Sequence, residues 1–137
     1  MRLLSIFLLC STIGFSQDYF QQEVNYNIDV TLDDKANVLN AFESFEYINN
    51  SPDELSFIYI HLWPNAYEDN TSAMSMQHYR DGNIVMENNT DEDRGFIDSL
   101  DFKVNGESAE FLYNLSHRDI GKLILKTPLK PGEKITV

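Results

Sequence analysis

The chain has 137 residues, of which 42% are hydrophobic and 12% aromatic. This composition supports one folded domain with an apolar core and excludes a chain that is disordered throughout. The formal net charge is −12, with 22 acidic against 10 basic residues, which argues against nucleic acid or an anionic membrane surface as a partner.

Residues 1–16 have the pattern of a signal peptide. Arg2 gives a positively charged start, an apolar stretch follows over residues 3–10, and small residues precede a cleavage point after Ser16. The stretch is shorter than the roughly 20 apolar residues that span a bilayer. We therefore expect the mature chain to begin at Gln17, to have no membrane span, and to be exported to the periplasm, the outer surface or the medium.

Cys10 is the only cysteine, and it lies inside this segment. It raises the alternative of a lipoprotein, but the bulky Leu9 stands where a small residue is expected. Cleavage after Ser16 would leave the exported chain with no cysteine, which excludes disulfides and thiolate catalysis.

Two strands are predicted in the first third of the mature chain. Over residues 24–32, apolar side chains alternate with polar ones, which indicates a strand with one buried face. The inward set is Val24, Tyr26, Ile28, Val30 and Leu32. The second strand, over residues 38–48, changes phase between Phe42 and Phe45. A β-bulge near residues 43–44 would restore the inward direction of its apolar side chains.

The run over residues 57–63 is the longest apolar and aromatic stretch outside the N-terminus. Both of its alternating sets are apolar, so it predicts a central strand that is covered on both faces and organises the fold. Within it, His61 is expected to be a core or rim histidine. Pro64 ends the strand because it lacks a backbone donor, and a turn carrying Tyr67 follows.

The rest of the chain predicts one short helix and several strands. Asn70 or Thr71 is expected to cap the helix, which runs to Arg80 and is terminated by Asp81-Gly82. Strands are expected over residues 96–104, 109–115, 120–127 and 135–137. Asn105-Gly106 predicts a hairpin and Pro131-Gly132 a turn. This pattern favours a mostly β fold, an antiparallel β-sandwich with one short helix over residues 17–137. Its last strand reads as interrupted, so we expect a domain truncated at its C-terminal end.

No catalytic or metal-binding motif occurs in the sequence. His61, His78 and His117 are far apart, and no His-Glu-x-x-His or nucleophile elbow is present. His78 and His117 are expected to be solvated. The acidic run over residues 91–93 has two interpretations, a solvated turn or an oxygen-ligand calcium site.

Several segments, in order, resemble the N-terminal β-domain of the aminopeptidase N family of zinc metallopeptidases. Residues 26–33 are similar to its opening Tyr-x-Ile-x-Val-x-Leu-Asp, and residues 47–55 to its Tyr-x-Asn-x-Ser-x-Asp-x-Leu. Residues 57–67, with Leu-Trp-Pro-Asn-Ala-Tyr, resemble a bacterial exported branch. Residues 93–98 together with 102–106, and residues 129–133, fit the same branch.

The resemblance implies a saddle-like, non-catalytic domain of an exported zinc aminopeptidase. Zinc and the catalytic residues are expected in a downstream catalytic domain, which would be the partner of this chain, and a peptide would be the parent enzyme's substrate. This chain alone is expected to be inactive. Trp63, Asn65 and Tyr67 are the candidate interdomain or turn-locking surface. The alternatives are a stand-alone secreted module that binds glycan or protein through Trp63 and Tyr67, and a calcium-stabilised adhesion domain.

Overall fold

The computed structural model describes residues 19–84 and 88–137, and this part of the chain is mostly β, as predicted. The predicted signal peptide and Cys10 lie outside the described residues. The strands are β1 (Glu23–Asp33), β2 (Val38–Ile48), β3 (Leu55–His61), β4 (Lys103–Val104), β5 (Glu107–Ser108), β6 (Phe111–Tyr113), β7 (Ile120–Leu129) and β8 (Lys134–Thr136). The α-helix α1 covers Ala73–Arg80, and 3-10 helices cover Trp63–Tyr67 and Asp91–Asp93.

The strands pair antiparallel in two three-stranded sheets and one small hairpin. The first sheet has the order β1-β2-β8, the second has the order β3-β7-β6, and β4 pairs with β5. Side chains from both sheets meet in one hydrophobic core, which consists of Phe45, Ile58, Leu123, Leu125, Leu129 and Ile135. The core therefore forms from residues that are distant in sequence.

The predicted β-bulge in β2 is wrong. β1 and β2 pair without interruption from Glu23 opposite Ile48 to Asp33 opposite Val38. Since the side-chain period of a strand is two, an unbroken register leaves Phe42 on the polar face, where it is 68% exposed. The change of phase is thus accommodated by an exposed aromatic side chain and not by an extra residue.

The predicted inward set of β1 is also wrong for most of its length. Val24 packs against the core, but Ile28 is 53% exposed and Leu32 is 64% exposed. Phe45 is the residue that β2 contributes to the buried core, and the residues of the same face beyond it are exposed. Beyond Phe45, the β1–β2 hairpin extends past the core.

The strand expected to be central lies at an edge. Within residues 19–84 and 88–137, β3 pairs only with β7, and its Tyr59 is 62% exposed. The central strand of this sheet is β7, which receives β3 on one side and β6 on the other and contains the fully buried Leu123. The presence of apolar side chains on both faces of this strand therefore does not mean that both faces are buried.

The predicted turns and the helix are confirmed, with one change at the helix cap. Ser72, and not Asn70 or Thr71, caps α1, because its side chain accepts a hydrogen bond from the Ser75 N–H. Asn105 and Gly106 both have positive φ angles, 51° and 83°, as a two-residue hairpin turn requires.

The strands around this hairpin are shorter than predicted. The Ala109 N–H donates to the Phe102 carbonyl at 2.9 Å, but the Glu110 carbonyl accepts from Ile124 in β7 at 2.9 Å. The returning chain therefore changes partner between β5 and β6. Residues 96–102 form no strand, and Phe96 and Leu115 at the far ends of the two predicted strands are 63% and 91% exposed.

Candidate functional site

The turn after β3 is a 3-10 helix over Trp63–Tyr67 with a proline in its first turn. The fixed φ of Pro64 suits the start of a helix, where its missing N–H needs no partner. Leu62, immediately before it, donates its N–H to the Asp119 carbonyl at 2.7 Å. The sequence thus positions a rigid turn between β3 and the loop that precedes β7.

Asn65 is the buried polar residue of this turn, with 6% of its surface exposed. Its Nδ2 donates to the Arg118 carbonyl at 3.2 Å, and its Oδ1 accepts the Ile97 N–H at 2.8 Å. One amide side chain therefore connects three segments that are far apart in sequence. Because both the nitrogen and the oxygen of the amide are hydrogen-bonded, the desolvation cost of burying it is offset.

Trp63 and Tyr67, the other two candidate residues, are exposed by 64% and 46%. The Trp63 ring stacks on His61, with ring centroids 5.7 Å apart and planes 24° apart. His61 is exposed at the end of β3, so of the two predicted positions, core or rim, the core position is wrong. The turn consequently combines a buried amide with exposed aromatic side chains.

Two serines attach α1 to this turn. The Ser72 hydroxyl donates to the Ala66 carbonyl at 2.6 Å, and the Ser75 hydroxyl donates to the Asp69 carbonyl at 2.8 Å. Ser72 and Ser75 are both buried, although each is polar. Because the same Ser72 oxygen caps the helix, the start of α1 is fixed relative to the turn.

Charged groups flank the turn at Asp69. Its Oδ2 lies 2.7 Å from Arg118 Nη1, and its Oδ1 accepts from the hydroxyl and N–H of Thr71 at 2.6 and 2.7 Å. The Thr71 hydroxyl, followed by the Thr71 N–H and the Arg118 charge, holds the pKa of Asp69 below its ordinary value, against the opposing effect of partial burial. Since both partners are partly exposed, the ion pair orients the loop more than it stabilises the fold.

The outer face of the second sheet also carries aromatic side chains. Phe57 and Tyr59 lie edge to face with centroids 5.3 Å apart. The Lys122 ammonium is 4.0 Å from the centre of the Phe57 ring and 5.5 Å from that of Tyr59. These rings are tilted relative to each other and covered by a cation, so they do not form a flat stacking surface.

The structure contains a second candidate surface that was not predicted from the sequence. We call residues 27–44 the arm, since this part of the β1–β2 hairpin extends beyond the core. One face of the arm, the arm face, carries Ile28, Val30, Leu32, Leu39 and Ala41, all of them exposed. A two-stranded hairpin is marginally stable by itself, and a contiguous exposed apolar face is typical of an interaction surface. Its alternation is visible in the sequence, but its exposure is not.

The predictions for the remaining candidate ligands have mixed outcomes. His117 is exposed, as expected, whereas His78 is only partly exposed and its buried Nδ1 has no hydrogen-bond partner among the described residues. The Asp93 carboxylate accepts from the N–H and hydroxyl of Thr90 at 3.0 and 2.8 Å and so closes the acidic turn on itself. These bonds hold its pKa below the ordinary value. Within residues 19–84 and 88–137, no three His, Cys, Asp or Glu side chains are grouped so as to hold a metal ion.

Comparisons with protein-family models, curated proteins and solved structures found no match for this chain. In the described part of the chain, none of the helices has the length and apolar content needed to cross a membrane.

Proposed function

We propose that this chain is the N-terminal, non-catalytic β-domain of an exported zinc-dependent aminopeptidase. The parent enzyme would hydrolyse the N-terminal bond of a peptide in a separate catalytic domain, which would hold the zinc ion. The chain itself would provide a surface against which that domain packs. The basis for the choice of family is the resemblance of residues 26–33, 47–55 and 57–67 to the N-terminal domain of the aminopeptidase N family.

The observation that carries the packing role is the exposed arm face. Val30 is 55% exposed and Leu39 is 65% exposed, although both belong to a face whose other end is buried in the core at Phe45. Burial of apolar area stabilises an association by about 25 cal/mol per Å² before the entropy cost of binding. A neighbouring domain on this face would continue the core that the two sheets begin.

The proposed arrangement of the two sheets is a saddle-like sandwich. It is supported by the mixed origin of the core, in which Phe45 and Ile135 belong to the first sheet and Ile58 and Leu125 to the second. Inner faces that interdigitate across about 10 Å are the usual core of such a fold.

The function is tested on the polypeptide that the native host makes. An antibody raised against residues 17–137 would be used to isolate the protein from culture medium and cell-envelope fractions. The isolate would be assayed with aminoacyl p-nitroanilides before and after chelation with 1,10-phenanthroline. We expect a polypeptide much larger than 137 residues whose activity is lost on chelation and restored by zinc.

A polypeptide no longer than this chain, without aminopeptidase activity, would contradict the proposed function. So would a protein found only in the cytosolic fraction. A catalytically inactive variant of the parent gene, with its metal ligands replaced, is the matched control for contaminating peptidases.

One observation favours a second candidate function, a secreted module that binds glycan or protein. Trp63 and Tyr67 are exposed on a turn that Asn65 makes rigid. Exposed aromatic side chains on a rigid support are common at binding surfaces. Glycan-array binding by the purified chain that is lost on Trp63→Ala, with an unchanged circular dichroism spectrum, would favour this candidate over the first.

A further inference from the structure

The outer face of the second sheet is defined by the pairing of its three strands. Tyr59 of β3 lies opposite Lys122 of β7, and Leu112 of β6 lies opposite the same lysine on the other side. Residues that are directly opposite each other point to the same face of a sheet. Ile58 and Leu123, which also pair, point to the other face and are buried in the core. Lys122 is therefore the middle residue of a row across the face that points away from the core.

Aromatic side chains line this outer face along β3. Alternate residues of a strand share a face, so three rings of β3 lie on the same side as the lysine, namely Phe57, Tyr59 and His61. Trp63 continues the row, because its ring stacks on that of His61. Tyr59 and Trp63 are 62% and 64% exposed, and Leu112 across the sheet is 46% exposed. An exposed face that is rich in aromatic and apolar side chains is typical of a protein–protein interaction surface.

Lys122 has aromatic rings as neighbours on this face, and no carboxylate of the described residues forms an ion pair with it. Its ammonium lies 4.0 Å from the centre of the Phe57 ring and 5.5 Å from that of Tyr59. The ion pairs of residues 19–84 and 88–137 involve other basic side chains, namely Lys103, Arg118, Lys126 and Lys134. A carboxylate binds an ammonium through charge-assisted hydrogen bonds, which a ring does not supply.

The position of Lys122 restricts what can cover the face. A partner that covers both Tyr59 and Leu112 also removes water from the lysine between them. Burying an ammonium without an anion beside it is unfavourable, because its lost hydration is not replaced. The covering surface must therefore be apolar with one acidic group opposite Lys122.

The geometry of the face favours a polypeptide among the possible partners. A symmetric dimer centred on this face would bring Lys122 of one copy close to Lys122 of the other, and like charges repel. A glycan would need rings that present flat faces, but the planes of Phe57 and Tyr59 are 77° apart and the ammonium covers the Phe57 ring. A polypeptide brings apolar side chains and a carboxylate without either conflict.

We infer that the outer face of the second sheet binds a partner polypeptide whose apolar surface places an aspartate or glutamate on Lys122. Apolar side chains of the partner contact Tyr59 and Leu112 on the two sides of this ion pair. The arm face belongs to the first sheet, so this inference goes beyond the proposed function and does not require a peptidase parent.

The test uses the full chain, isotope-labelled for NMR, and two peptides with blocked ends. One peptide is acetyl-Ser-Leu-Glu-Leu-Ser-amide, and the other has glutamine in place of glutamate, which keeps the shape and removes the charge. Binding is followed by the amide shifts of the protein. We expect the largest shifts at residues 57–61 and 120–124, and about two- to fivefold weaker binding of the glutamine peptide.

Three variants separate the ion pair from apolar contact. Lys122→Met keeps an unbranched apolar side chain and removes the ammonium, so the two peptides should bind equally. Lys126→Met is the matched control in the same strand, because Lys126 is already paired with Glu107 at 3.1 Å and its loss should leave the preference unchanged. Leu112→Ser should weaken both peptides alike, since it removes only apolar area.

Shifts that are absent at millimolar peptide concentration, or that are confined to the first sheet, would overturn the inference. Equal binding of the two peptides to the unsubstituted chain would also overturn it, and this comparison does not depend on the folding of any variant. A dimer in sedimentation velocity that Lys122→Met abolishes would assign the face to a second copy instead. Tighter binding of a galacturonate oligomer than of the glutamate peptide would assign it to an acidic glycan. Any of these outcomes leaves the zinc-dependent activity expected of the host polypeptide unaffected.

Discussion

Asn49 donates from its Nδ2 to the carbonyl of Leu129, 80 positions further along the chain, at 2.9 Å. The same Nδ2 donates to the Asp53 carbonyl at 2.8 Å, and its Oδ1 accepts from the Ser51 hydroxyl at 2.6 Å. Asn49 is fully buried. This one side chain therefore connects the end of β2, the following turn and the end of β7.

Asn49→Ala is expected to destabilise the fold by about 2–4 kcal/mol, because it leaves several buried backbone and hydroxyl groups without partners. Asn50→Ala is the matched control, since Asn50 is the exposed neighbour and donates from its side chain only to the Gln21 carbonyl. Urea unfolding followed by circular dichroism gives both values. Equal losses for the two variants would contradict the role of Asn49.

Asn65→Ala is expected to lower the free energy of unfolding by about 1–3 kcal/mol, since it removes the hydrogen bonds to Arg118 and Ile97 from a buried site. Trp63→Ala in the same turn should cost less than about 1 kcal/mol, because most of that side chain is exposed. Thermal unfolding followed by circular dichroism distinguishes them. The reverse order would show that the aromatic side chain, and not the amide, fixes the turn.

Gly121 is expected to tolerate no larger residue, because a Cβ atom at this position would overlap the ring of Phe111. Gly121→Ala should therefore be strongly destabilising in urea unfolding, whereas Gly95→Ala should be nearly neutral, since a Cβ there meets nothing within 4 Å. In a Phe111→Ala background, the cost of Gly121→Ala should largely disappear. Additive costs in this double-mutant cycle would contradict the contact.

Asp69 should make the free energy of unfolding depend on pH. Its pKa in the folded chain is below the ordinary 3.8, so its ionised form stabilises the fold above this value. This stabilisation should be lost as the pH falls through the folded-state pKa. In Asp69→Asn, the free energy of unfolding should therefore decrease less steeply with falling pH than in the unsubstituted chain.

Thr71→Val provides the check on the cause of this shift. Because the Thr71 hydroxyl is the largest contribution, its removal should raise the Asp69 pKa toward 3.8 in a carboxyl NMR titration. Thr90→Val, which removes the corresponding hydroxyl from Asp93, should leave the Asp69 titration unchanged. A shift of Asp69 in both variants would mean that the effect is not local.

The arm face should contribute little to the stability of the chain by itself. Val30→Thr is expected to change the free energy of unfolding by no more than about 0.5 kcal/mol, because Val30 is 55% exposed. Phe45→Ala, on the buried continuation of the same face, should cost about 3–5 kcal/mol. A large cost for Val30→Thr in urea unfolding would show that the arm face is covered within the chain.

Local chemistry was sufficient to predict the turns from the sequence. Asn105 and Gly106 both tolerate positive φ, and the structure gives both of them positive φ. Pro131-Gly132 behaves in the same way, with Gly132 at a φ of 79°. In each case the constraint acts between adjacent residues, so no knowledge of distant segments was needed.

The sequence also determined that β1, β2, β3 and β7 are strands, because period-two alternation and β-branched or aromatic side chains favour an extended backbone wherever the strand lies. Only the tertiary structure decided which of them is central. Tyr59 and Leu123 both belong to apolar runs, yet one is 62% exposed and the other fully buried. Burial depends on which strands pair across the sheet, and the run over residues 57–63 carries no information about its neighbours. For the same physical reason, the sequence marked Asn65 as a turn residue, while its partners at Ile97 and Arg118 were set by the fold.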